Sequence, residues 1–471
     1  MPDQTDDTLD SAFHALRSAY RAEPNSGWMK RQRCLSHLAE MLRDQQSALA
    51  QAVRLDFGQR SPVETRLAEL FPALAAIRHA RRHLKRWMKP QNRGVSVWFR
   101  PAQNFVMPQA LGVVGIVVPW NYPIYLAIGP LIAALAAGNR VMIKMSELTP
   151  HTGALLATLL EQTLGSDLVR VFNGSTELAQ QFTRLPFDAL LFTGSTLVGH
   201  HVMAAAALNL TPVTLELGGK SPVIIASDAD LERAAQSIVA GKMLNAGQTC
   251  VAPDYVLLPR GKRAALVMAL TRAASRAYPT LTDNPDLSAI INQPHYQRLQ
   301  DWCVEAGHAG ATVQAVNPQG EDPSATRKMP LTLVWDCPEH CALLQQEIFG
   351  PILPLVEVED LDQAIDYINQ RPRPLALYLF SQERAVIERV LQQTVSGGVC
   401  VNETVLHVAQ DDLPFGGVGA SGMGHYHGHE GFLTFSKLKP VFRQRRLNTR
   451  WLLLPPYGWI AEGLLRLMMR K

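Results

Sequence analysis

Two residues of this chain carry the types and settings that chemistry needs. Cys250 ends the stretch NAGQTC, residues 245 to 250, where Asn245, Gly247 and Thr249 break the helical pattern of the apolar run before it. Pro253 follows shortly and keeps a helix from resuming. The stretch therefore predicts a tight loop that presents its thiol, with small turn residues leaving room for a substrate carbon. Most free cysteines are buried and inert, so the thiol alone decides nothing. Glu216 is the second group. In VTLELGGKSPVII, residues 213 to 225, Val213 to Leu217 alternate as a strand end, Gly218 and Gly219 turn sharply, and a second apolar strand starts at Pro222. A carboxylate at the end of an apolar strand is costly unless it has work or a partner. Burial lifts such a group toward the range useful to a general base. A thiol nucleophile with a carboxylate base is the pair for acyl-thioester chemistry: cysteine attacks a carbonyl, and activated water later releases the acid.

The elements that must position these groups are strands alternating with helices. From residue 111 the runs LGVVGIVVP, RVMIK, LVRVFNG, DALLFTG and PVTLEL have the length of buried strands, and helical stretches such as 150 to 164 and 176 to 184 separate them. This is the signature of an α/β chain with a parallel sheet covered on both faces. Ligands of such sheets sit at strand C-termini. The first strand delivers Trp120, Asn121, Tyr122 and Pro123, and the amide of Asn121 could hold a developing oxyanion or simply make a turn. The second delivers Lys144 and Glu147. The DALLFTG strand delivers Gly194, Ser195 and Gly199, a glycine turn whose helix start suits a pyrophosphate. By itself that turn is a weak signal, and there is no G-x-G-x-x-G fingerprint. A second set of strands, PVIIA, DYVLL, ILPLVEV, LALYLF and GGVCVN, marks another α/β unit around Cys250. Before it all, residues 9 to 55 read as amphipathic helices, and Gly94 to Met107 reads as a projecting hairpin in which Val95, Val97 and Phe99 alternate.

LELGGKSP around Glu216 and GQTC at Cys250 resemble the general-base and nucleophile motifs of the aldehyde dehydrogenase superfamily. The similarity runs from about residue 10 to about residue 440. LPFGGVGASGMGHYHG, residues 413 to 428, is similar to the signature of the class 3 branch, and KMLNAGQTCVAPDYVLLP resembles the bacterial coniferyl-aldehyde dehydrogenases within it. The resemblance implies an aldehyde dehydrogenase fold: a Rossmann-like dinucleotide-binding domain, an α/β catalytic domain and a small β oligomerisation arm. The boundaries expected are 1–93 and 108–217 for the dinucleotide domain and 218–399 for the catalytic domain. Residues 94–107 and 400–443 form the arm and substrate-entrance loop, and 444–471 the tail.

It also implies roles. Asn121 and the Cys250 backbone hold the oxyanion, and Glu216 activates water. Trp120, Lys144, Glu147, Gly194, Ser195, Gly199, Glu347 and Phe349 bind NAD or NADP. Of these, Lys144 and Glu147 meet the adenosine ribose, Glu347 the nicotinamide ribose and Phe349 the nicotinamide. Met145 stands where the family usually has proline, which leaves that loop less rigid. Glu147 would repel a 2′-phosphate, which leans to NAD. Tyr122, Met243 and Phe415 are expected to line an apolar substrate pocket that favours aromatic aldehydes such as coniferaldehyde over acidic semialdehydes. Medium- or long-chain aliphatic aldehydes are the alternative. A CoA-acylating relative and a catalytically silent structural protein are rivals that the Asn121, Glu216, Cys250 and Glu347 set disfavours.

Composition agrees. The 471 residues are 47% hydrophobic and 18% charged, enough for two or three domains with a large core. A net charge of +4 with no long basic run does not imply nucleic acid. Six irregularly spaced cysteines make no disulfide framework, and the acidic start MPDQTDDTLD lacks a secretory core, so a reducing, cytoplasmic setting is expected. No metal is expected. His79 and His83 lie among arginines, Cys337 and Cys341 near His340 lack a second close pair, and the histidines at 425, 427 and 429 fall in the glycine-rich entrance loop. Asp56-Phe57-Gly58 is a chance kinase tripeptide. A homodimer through the hairpin is implied by the resemblance. The tail is too broken by Pro455, Pro456, Glu462 and Arg466 to span a membrane, and its residues 457 to 470 predict an amphipathic helix that docks on the protein or rests weakly on a membrane surface.

Overall fold

The computed structural model describes residues 6–446, 448 and 454–469. Two sheets organise the chain. The first has six strands in the spatial order Gly422–Met423, Val213–Leu217, Ala189–Gly194, Val113–Val117, Arg140–Lys144 and Val169–Phe172. All its pairings are parallel except that of the short Gly422–Met423 edge. Val113–Val117 and Arg140–Lys144 are buried at every residue, as a sheet covered on both faces requires. Helix Tyr125–Ala137 is buried along almost its whole length and ends at Gly138, a left-handed cap.

The second sheet has seven strands. Their spatial order is Thr312–Ala315, Thr332–Trp335, Ile352–Val358, Tyr255–Pro259, Pro222–Ile225, Ala376–Phe380 and Gly398–Val401. Only the Thr312–Ala315 edge runs antiparallel. Both sheets match the α/β reading, and the five runs read from residue 111 and the five read from 222 each form a strand. Thr312–Ala315 and Thr332–Trp335 were not among those runs. Both are short; the first is largely exposed, and the second, though buried, spans only four residues.

A third, three-stranded sheet joins Gln91–Arg93, Gln103–Ala110 and Ser436–Arg443. It corrects the expected hairpin. Val95, Val97 and Phe99 are not a strand; they lie in the connection between strands, where Val97–Phe99 makes one 3₁₀ turn. The cause is local. Phe99 N donates to Ser96 O (2.9 Å) and Ala102 N to Phe99 O (2.9 Å), which closes tight turns. Pro101 supplies no N–H to a ladder. The ladder therefore pairs Gln91 with Val106 instead. The tail forms the helix Trp459–Met468, inside the expected 457 to 470. No helix among the described residues is long and apolar enough to cross a membrane.

Candidate active site

Helix Leu231–Met243 runs into a 3₁₀ turn, Leu244–Gly247, that leads to Cys250. Asn245 and Ala246 take left-handed backbone at φ 50° and 53°. An alanine there is uncommon and needs surrounding contacts to hold it. Gln248 supplies them: Nε2 donates to Asn245 O (2.9 Å) and Ala289 O (3.0 Å), and Oε1 accepts from Ile291 N (2.9 Å). Gly247, at φ 74°, is required by close approach, because a Cβ there would lie 2.3 Å from the Gly350 carbonyl. Cys250 is half-buried. Its thiol is pushed up to about 12, by burial first and then by Glu347 and Glu216.

Glu216 sits on the Val213–Leu217 strand, paired antiparallel with Gly422. It is buried, and neither carboxylate oxygen has a hydrogen-bond partner among the described residues. Burial alone raises its pKa well above the ordinary carboxylate value. The LGGK turn that follows positions a second carboxylate. Lys220 pairs with Asp254 and donates to the carbonyls of Leu343 (2.7 Å) and Gln346 (2.9 Å). Asp254 Oδ1 accepts from Ile348 N (3.0 Å), so both ends of the segment carrying Glu347 are tied down. Glu347 lies against Gly218, where a Cβ would meet Oε2 at 2.0 Å. Burial, and then Asp254, push Glu347 up to about 8.

Asn121 is buried at the end of the first sheet's central strand, and its Nδ2 donates to Gln248 O at 3.2 Å. The other amide hydrogen is left for an incoming oxygen. Tyr122 meets the Thr249 hydroxyl at 2.6 Å, beside Cys250.

Two cavities converge on these groups. One, of about 270 Å³, is lined by Tyr122, Tyr125, Leu126, Thr249, Val408, Phe415 and Tyr426 among others, and it ends at Cys250 and Glu216. None of its lining residues is a lysine, arginine or histidine. The other, of about 250 Å³, is lined by Trp120, Asn121, Gly194, Ser195, Glu347 and Phe349, with Thr193, Gly218, His295 and Arg298. Thr193, Glu216, Leu217 and Cys250 line both.

Sequence comparison settles the family. The chain matches the aldehyde dehydrogenase family over residues 1–441. It belongs to the aldehyde dehydrogenase family. It is 52% identical over 450 residues to a probable coniferyl aldehyde dehydrogenase of Pseudomonas aeruginosa, covering 96% of this chain and 94% of that one. It is 44% identical over 464 residues to the coniferyl aldehyde dehydrogenase of a Pseudomonas species, covering 98% and 96%. The substrate-bound structure of Staphylococcus aureus AldH superposes with a TM-score of 0.93 at 36% identity, covering 98% of this chain and 99% of that one. The chain is thus an aldehyde oxidoreductase that uses a nicotinamide cofactor.

The residues of the second cavity fit such a cofactor. Glu347 Oε1 and Thr193 Oγ1 are buried there without partners among the described residues. Ser195 caps the helix Thr196–Ala207, whose N-terminal N–H groups suit a pyrophosphate. Three expected cofactor residues stand elsewhere. Gly199 lies under the helix against Leu217, where a Cβ would come within 2.8 Å, so it serves helix–strand packing. Lys144 is buried with Nζ donating to Met145 O (2.7 Å) and Gly174 O (3.0 Å), outside the cavity wall, and Glu147 is exposed beside it.

Met243 is also corrected. It is 2% exposed and packs into the core rather than lining the substrate cavity. Its helix is buried on several faces, so helical spacing did not reveal which face meets the substrate. Thr193, Tyr125, Tyr426, His295 and Arg298 line the two cavities and were not singled out as site residues. Thr193 and Tyr426 fall inside quoted motifs. His295 and Arg298 come from the helix Gln293–His308 and had no motif to mark them. The histidines of the glycine-rich run part company: His425 approaches Glu430, His427 stacks on Phe415 and His429 packs on Trp87.

Proposed function

We propose that the chain oxidises aromatic aldehydes of the hydroxycinnamyl type, such as coniferaldehyde, to their acids. The observation that carries this is the apolar, aromatic-walled cavity that ends at Cys250, together with 52% identity to a probable coniferyl aldehyde dehydrogenase. Cys250 is the nucleophile, and Asn121 Nδ2 with the Cys250 N–H receives the oxyanion. The bound nicotinamide supplies the hydride acceptor. Glu216 then accepts a proton from the water that cleaves the thioester. Burial raises both Cys250 and Glu216 above their ordinary values, and a positive charge brought close to them, such as the oxidised nicotinamide would supply, is the change that would lower both.

Specificity constants for coniferaldehyde, benzaldehyde, decanal and succinate semialdehyde in one buffer test the substrate. Coniferaldehyde is expected first and succinate semialdehyde last, because the cavity offers no cation to a carboxylate tail. Shape differences in an apolar pocket give about 1–3 kcal/mol per methylene-sized change, so decanal is the closer competitor. Decanal ranking first would overturn the aromatic assignment, and succinate semialdehyde ranking first the whole pocket argument.

The three-stranded sheet supports a homodimer. Val97 is 63% exposed, Phe99 49% and Phe442 53%; such neighbouring apolar residues are those a partner copy covers. Helix Trp459–Met468 exposes Trp459, Ile460, Leu465 and Leu467, which supports a weak membrane-surface contact. Light scattering at micromolar concentration, with and without anionic lipid vesicles, tests both. A dimer that associates with vesicles is expected; a monomer would refute the first assignment, and scattering unchanged by vesicles the second. The six free cysteines support a cytoplasmic setting.

A further inference from the structure

The oxyanion site assigned above is built from two bodies. Asn121 follows a strand of the six-stranded sheet, whereas Cys250 belongs to the unit of the seven-stranded sheet. Donors of such a site must be held within about 0.5 Å of the productive geometry. Ladder hydrogen bonds within either sheet do not fix one body against the other, so something must cross the boundary.

Arg60 crosses it. Its side chain is fully buried, one of the largest in the protein to be so. Nη1 donates to the Asn121 carbonyl at 2.9 Å and stands 3.3 Å from Glu69 Oε1. The second carboxylate oxygen of Glu69 accepts from Ile124 N (2.7 Å) and Tyr125 N (3.0 Å), which pins the turn just after Asn121. Nε of Arg60 donates to Glu64 Oε1 at 3.2 Å, and the same oxygen accepts from Ser288 Oγ at 3.0 Å. Ser288 precedes Ala289, whose carbonyl holds Gln248 two residues before Cys250. The guanidinium also lies 4.8 Å over the ring of Tyr122, whose hydroxyl meets Thr249. One cation therefore reaches the oxyanion asparagine directly and the nucleophile loop by two routes.

The arrangement is expensive for stability alone. Nη2 of Arg60 has no partner among the described residues, and burial raises the pKa of Glu69 despite Arg60 beside it. Buried ion clusters of this kind often contribute less stability than apolar residues of the same size. We propose that Arg60 is a positioning residue for the oxyanion site, registering Asn121 against the Cys250 loop across the boundary between the two sheets. The proposal rests on the assignment of Asn121 as oxyanion donor.

A double-mutant cycle tests it. Asn121→Ala is expected to lower kcat by about 10²–10³. Arg60→Met is expected to lower kcat by about 10², the effect of a misplacement near 1 Å, with KM for cofactor and aldehyde little changed. The double variant should be scarcely slower than Asn121→Ala, because a displaced donor and an absent one are the same loss. Arg60→Met strands two carboxylates, so Arg60→Met/Glu64→Gln/Glu69→Gln, and Arg60→Lys, which keeps the charge, are measured alongside it. Circular dichroism and binding of the reduced cofactor confirm the fold. Fully additive losses, an unchanged kcat in a folded Arg60→Met protein, or a loss confined to KM would each overturn the proposal. So would failure of all three Arg60 variants to fold, which would make the residue structural. An unchanged kcat in Asn121→Ala removes the oxyanion assignment itself, whereas a loss there without one in the Arg60 variants removes only the role of Arg60.

Discussion

Cys250→Ser is expected to abolish dehydrogenase activity while leaving cofactor binding intact. A serine hydroxyl fits the same loop, so the held turn at Asn245 and Ala246 has no reason to change. What is lost is nucleophilicity. The thiol is already pushed up to about 12 by burial and by the carboxylates of Glu347 and Glu216, and an alcohol in that setting is far harder to ionise. Steady-state reduction of the cofactor at 340 nm is the measurement. Turnover at the wild-type rate would remove Cys250 from the role of nucleophile.

The second large effect is expected of Glu216→Gln: a single-turnover burst of reduced cofactor followed by turnover slower by about 10²–10⁴, the usual loss of a general base. The amide keeps the shape of the carboxyl and cannot accept the proton of water. The same residue sets a pH dependence, and its sign follows from burial. Glu216 must be ionised to act, and its pKa lies well above the ordinary carboxylate value. Activity should therefore fall as pH drops through that raised pKa, on an acid limb above the usual carboxylate range, and Glu216→Gln should flatten this limb. Disappearance of the burst itself would show that Glu216 acts earlier, in taking the proton of Cys250.

How far the sequence could be read depended on whether a residue's role was local. Glu216, on a strand just before a glycine turn, and Cys250, just after a 3₁₀ turn, stood out because their glycines and polar neighbours are contiguous in the chain, whereas Glu347 stood out only through the family resemblance. The ten apolar strands were legible because a strand buried on both faces needs an uninterrupted apolar run. Roles that depend on the direction of a side chain were not. Met243 has helical spacing from the loop but turns into the core, and Lys144 ends a strand but bends back to two carbonyls. Val97 and Phe99 alternate like a strand, yet three positions of alternation beside a proline are too few to set a ladder. Arg60 and Arg298 act from helices or loops far along the chain from what they touch, where spacing carries no signal.

The two cavities that share Cys250, Glu216, Thr193 and Leu217 give the enzyme two separate doors. With the roles proposed above, reduced cofactor would depart by one while the acyl group still occupied the other. The traffic is independent in a second sense. Phe415, Val408 and Leu126 line only the cavity proposed for the aldehyde, so substitutions there are expected to change which aldehydes enter and leave the other cavity's wall as it is. Substrate range in this chain is thereby free to drift while the redox partner stays the same.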